Sequence, residues 1–125
     1  TFIISFVVGF GRLGGLEEGE IYRQIEQQIP ATAVVMAADA PAFYYHTQRP
    51  SLSLPNEPPE RLLEAARAFG VTHIVLDINH PRPLAPLYNQ TLADARFKLV
   101  QAYPIIGLDG EPEDQIQLYV LEVAP

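Results

Sequence analysis

The sequence predicts an α/β domain with a mainly parallel sheet that closes on an antiparallel hairpin, and three observations carry that reading. Residues 71–77 are a β-branched apolar run ending on Asp77. Val71, Ile74, Val75 and Leu76 in it do not alternate cleanly with polar residues, the pattern of a strand covered on both faces. The preceding unit has the same order: a helical period over 21–29, Pro30, then an apolar run over 33–38 ending on Asp39. Finally, the apolar runs 97–103 and 115–123 have turn residues and no helical period between them, so they pair as an antiparallel hairpin. Two helix–strand–Asp units in succession call for helices on both faces of parallel strands. The expectation is a three-layer, Rossmann-like domain.

With 125 residues, the chain suits one hydrophobic core and is short for two. Apolar residues make up 48% and charged residues 18%, the balance of a folded domain rather than a disordered tail. A net charge of −7 with one lysine, Lys98, and scattered arginines leaves no basic patch, so nucleic acid is not an expected partner. Cysteine is absent, which excludes disulfides, thiolate metal sites and a cysteine nucleophile. The chain starts at Thr1, and the expectation is a fragment or a processed product.

Residues 1–10 are almost wholly apolar, about half the ~20 residues of a membrane-spanning helix, and they lack the basic start of a signal peptide. A sheet strand, the stub of a membrane helix and a mobile arm all fit them. Together with the Gly-rich stretch after them they form the segment 1–19, ahead of a single α/β domain over 20–125. Gly9, Gly11 and Gly14 match G-x-G-x-x-G after a strand, and Asp39 is the acid that would meet a ribose. Against that reading, Asp39 lies about thirty positions from Gly9 rather than the ~20 of a compact unit. Glu17, Glu18 and Glu20 also crowd the helix start where a pyrophosphate needs positive potential. A Gly-rich linker is the plainer reading.

Ile21, Ile25 and Ile29 recur on one helical face with Tyr22 beside them, and the first helix is expected from Glu20 until Pro30 stops it. Asp39 and Pro41 mark a helix start, followed by the aromatic stretch 42–47. Residues 51–54 alternate as a short edge strand, and a proline-rich loop over 55–59 leads to a helix over 60–69. Leu62, Leu63, Ala66 and Phe69 form its apolar face and Gly70 its terminator. After Asp77 comes a loop held by Pro81 and Pro83, then a short helix within 84–92 interrupted by Pro86. Residues around Asp109 read as a turn.

Asp39 and Asp77 sit at the carboxyl ends of expected parallel strands, where open α/β sheets form ligand crevices. With Tyr44, Tyr45, His46, Arg49 and His80 on adjoining segments they make the candidate ligand cleft. Carboxylates and imidazoles there suit a cation, and aromatic faces suit a sugar ring. The same residues also have purely structural roles open to them: Asp39 capping a helix, Asp77 capping a turn, the tyrosines filling core, His80 solvated. His73, inside a strand, reads as a hydrogen-bonded core or edge histidine. No G-x-S-x-G elbow and no H-E-x-x-H occurs, so common hydrolase signatures are missing. Neither a metal nor a cofactor is expected. The triplet at Asn89 and Thr91 matches an N-glycosylation acceptor, a common chance match.

From Glu20 onward the order of residues carries a resemblance. It runs Tyr22, Ile25, Ile29-Pro30, then Ala33 to Met36, Asp39, Pro41, Phe43-Tyr44, Thr47, Arg49-Pro50 and Leu54-Pro55. Glu60, Leu62-Leu63, Phe69 to Asp77, Leu87-Tyr88 and Leu118 to Leu121 follow. This resembles the soluble C-terminal domain of bacterial polytopic membrane glycosyltransferases, the group related to protein mannosyltransferases and aminoarabinose transferases. The resemblance implies a parent that uses a polyprenyl-phosphate-linked sugar, with this domain on the extracytoplasmic side of the bacterial cytoplasmic membrane. Its catalytic acid would lie in an early extracytoplasmic loop outside this sequence, so no catalytic residue is carried over. The implied role is a non-catalytic domain that assists acceptor or lipid-linked sugar recognition, partnered by the membrane-embedded portion of the same chain. Two alternatives stand beside it: a dinucleotide-binding domain using Gly9, Gly11, Gly14 and Asp39, and a free-standing interaction domain whose first strand swaps to form a homodimer.

Overall fold

A computed structural model describes residues 17–106 and 112–122. The expectations for residues 1–16, including Gly9, Gly11 and Gly14, and for the turn at Asp109 lie outside the described residues. The elements in chain order are α1 (Glu18–Gln28), β1 (Val35–Ala37), α2 (Ala40–Thr47), β2 (Leu52–Ser53) and α3 (Pro59–Phe69). They continue through β3 (His73–Leu76), a 3-10 turn (Arg82–Leu84), α4 (Ala85–Tyr88), β4 (Phe97–Ile106) and β5 (Pro112–Leu121). The first helix thus starts two residues earlier than expected, with the Glu20 carboxylate accepting the Glu17 N–H at 3.2 Å. Pro86 lies in the first turn of α4, where it lacks no helical bond, so it starts that helix rather than interrupting it.

The domain is α/β with a mixed five-stranded sheet in the order β2-β1-β3-β5-β4. β2, β1 and β3 are parallel, while β5 runs antiparallel to both β3 and β4. Two strand pairings are parallel and two antiparallel, so the sheet is parallel at one end and antiparallel at the other rather than mainly parallel. The hairpin is β4–β5, as expected. Its last strand takes a central place, between β3 and β4, because Ile116, Leu118, Tyr119 and Leu121 all offer buried side chains.

The sheet divides the core in two. Val35, Ala37, Val75, Ile116 and Leu118 meet Ile21, Tyr22 and Ile25 of α1 and Phe43 of α2 on one face. Met36, Ile74, Leu76, Tyr119 and Leu121 meet Leu62, Leu63 and Ala66 of α3 and Leu84 and Leu87 on the other. Alternation along β1, β3 and β5 sends successive side chains to opposite cores, which is why residues 73–76 are buried without a break. In β4 the pairing shifts register between Leu99 and Gln101. One extra residue reverses the facing of everything beyond it, so Phe97 joins the α3-side core and Tyr103 the α1-side core.

Phe69, expected on the buried face of α3, is 66% exposed. It is the last helical residue, beyond the stripe of Leu62, Leu63 and Ala66 that touches the sheet. Gly70 ends the helix with φ 71° and donates its N–H to the Ala66 carbonyl, a left-handed position that glycine adopts at low cost. Among the described residues no helix is long and apolar enough to cross a membrane.

Candidate functional site

The chain leaves β1 for β2 on one side and then returns past β1 to β3 on the other. A reversal of this kind marks the carboxyl ends of β1 and β3 as the position where open α/β sheets form a ligand crevice. Asp39 and Asp77 stand at those two ends. Oxygens of both lie within 4.8 Å of each other and of a Glu18 oxygen. Glu18 arrives because a helix that feeds a parallel strand begins at the sheet's carboxyl end, so its first turn overlooks the crevice.

Local hydrogen bonds hold the two aspartates. Asp39 precedes α2, and its Oδ1 accepts the Ala42 N–H at 3.1 Å, leaving one cap donor satisfied. Asp77 is buried; its Oδ1 accepts the Asn79 N–H at 2.8 Å and its Oδ2 the Tyr22 hydroxyl at 3.3 Å. The structural roles expected of Asp39 and Asp77 are thus both realised, and the convergence comes in addition. Burial, then the negative charges of Asp77, Glu18 and Asp39, push the Tyr22 phenol well above its ordinary pKa. It stays protonated and serves as a donor.

An aromatic step leads outward from Tyr22. The His46 ring stacks on it with centroids 5.7 Å apart, and Tyr45 meets His46 edge-on at 5.0 Å. Tyr45 is 76% exposed and Tyr44 51%, so these tyrosines do not fill core; α2 gives only Phe43 to the buried set. His80 accompanies the Asp77 backbone, its Nδ1 lying 2.7 Å from the Asp77 carbonyl and its ring stacked on Tyr88 at 4.3 Å. It is held in place rather than freely solvated.

Arg49 does not join the cluster. Its guanidinium donates to the carbonyls of Pro30, Ala31 and Ala33 at 2.6, 3.1 and 2.9 Å and pairs with Glu26 at 3.5 Å. Those carbonyls precede β1, at the opposite end of the sheet, so Arg49 clamps the α1–β1 connection. His73 is likewise structural: it is buried in β3, with Nδ1 2.8 Å from the Thr72 hydroxyl. Burial, and then the charge of Arg49, hold its pKa below the usual value.

Glu18 and Tyr22 are the site residues that sequence reasoning missed. Glu18 lies ahead of the helix expected from Glu20, and Tyr22 stands beside its apolar face, so the i, i+4 relation of the two follows only from the earlier helix start. Two carboxylates ~5 Å apart repel by roughly 3 kcal/mol at an effective dielectric near 20. A ligand that brings hydroxyl or ammonium hydrogens, or a cation, relieves that repulsion. The arrangement therefore suits binding of hydrogen-bond donors flanked by a ring face. No family model, curated protein or solved structure matches this chain.

Proposed function

We propose that this domain is a non-catalytic recognition module whose ligand face is the crevice between β1 and β3, and that its ligand is a sugar. The observation that carries the reading is the convergence of Glu18, Asp39 and Asp77 beside the Tyr22, His46 and Tyr45 rings. Carboxylates accept hydrogen bonds from sugar hydroxyls, and the exposed Tyr45 ring offers a face for the apolar side of a pyranose, while buried Tyr22 holds Asp77 in place. In this reading the two cores divided by the sheet correspond to a three-layer, Rossmann-like arrangement. The parent is a glycosyltransferase-like membrane protein of the bacterial cytoplasmic membrane, and the domain works on its extracytoplasmic side on an acceptor or lipid-linked sugar. Support for that context is the order of residues from Tyr22 to Leu121.

A divalent cation is the second reading, favoured by the three oxygens lying within 4.8 Å of one another, since carboxylates are hard-cation ligands. A dinucleotide is less well served: Glu17, Glu18 and Glu20 surround the start of α1, where a pyrophosphate would meet like charge.

The test is titration of isotope-labelled domain, followed by NMR, with neutral and amino monosaccharides and separately with calcium and magnesium. Saturable shifts confined to residues 18–22, 39–46 and 77–80 on adding sugar, lost in Asp39→Asn, are expected. A response to the cations alone would favour the second reading. Sugar-induced shifts elsewhere, or no response to either, would overturn the crevice as ligand face.

A further inference from the structure

We draw no further inference here: the strongest candidate, the apolar groove beside edge strand β2 lined by Val34, Val35, Pro50, Ser51, Leu52 and Phe69, carries nothing because nothing in the structure shows what covers it.

Discussion

The Tyr22 hydroxyl on α1 donates to Asp77 Oδ2 at the end of β3, 3.3 Å away and out of contact with solvent. This bond joins the first helix to the central strand across 55 positions of sequence. Tyr22→Phe keeps the ring against Phe43 and His46 but strips a buried carboxylate of one donor. The expected loss is about 1–3 kcal/mol, read from the urea midpoint at unchanged slope. A variant as stable as the parent would mean that Asp77 is satisfied without Tyr22.

Arg49 and Arg96 both make several contacts, yet they differ in consequence. Arg96 pairs with Glu60 and with Asp94 at the surface, and its hydrogen bonds to them hold both carboxyls below their ordinary range. Exposed pairs of this kind contribute little and are screened by salt. Arg96→Met is expected to move the urea midpoint slightly in low salt and not at all in high salt. Arg49→Met strips donors from the carbonyls of Pro30, Ala31 and Ala33 and is expected to cost about 2 kcal/mol or more, with little salt dependence. Equal effects of the two substitutions would contradict the clamp.

His73 predicts a pH dependence. Its folded pKa is lowered from 6.5 by burial and by Arg49, so between the folded value and 6.5 the unfolded chain binds a proton that the native state does not. The stability linked to His73 is then complete above about pH 6.5 and falls as pH drops towards the folded value. His73→Gln removes this component. Between pH 7.5 and 5.5 the parent is expected to lose more stability than the variant in parallel denaturation curves. Identical slopes would show that His73 titrates alike in both states.

Two glycines answer differently to alanine. At Gly70 a Cβ meets open space but φ is +71°, so Gly70→Ala is expected to cost roughly 1–2 kcal/mol through backbone strain alone. At Gly19 a Cβ would lie 2.8 Å from His46 Nδ1. There the helix gains up to about 1 kcal/mol in propensity, while the His46 ring must leave its stack on Tyr22. Near-neutral stability with a displaced His46 ring resonance is the expected result for Gly19→Ala; an unmoved resonance would contradict the close approach.

Ser51 has a buried hydroxyl oxygen that bonds to no other described group. Ser51→Ala removes that polar atom and is expected to leave thermal stability unchanged or slightly raised. A loss above about 1 kcal/mol, the value of a typical made hydrogen bond, would show that the hydroxyl has a partner in solution.

The sequence by itself determined which elements form and their order, while several of their ends moved by a few residues. Ile21 and Ile25 mark the buried face of α1, Asp39 and Gly70 act where capping chemistry places them, and the unbroken apolar run before Asp77 is a strand buried on both sides. These signals are local, since periodicity and capping depend on residues a few positions apart. Tertiary structure alone decided that β5 lies between β3 and β4, because an apolar strand records that it is covered but not by which neighbour. It also decided that Tyr103 faces the core opposite to Phe97, a consequence of one register shift that propensity does not mark. Arg49 went to the backbone of the α1–β1 connection and Glu18 to the crevice for the same reason. A charged side chain carries no period, and its partners are set only when strands distant in sequence bring their ends together.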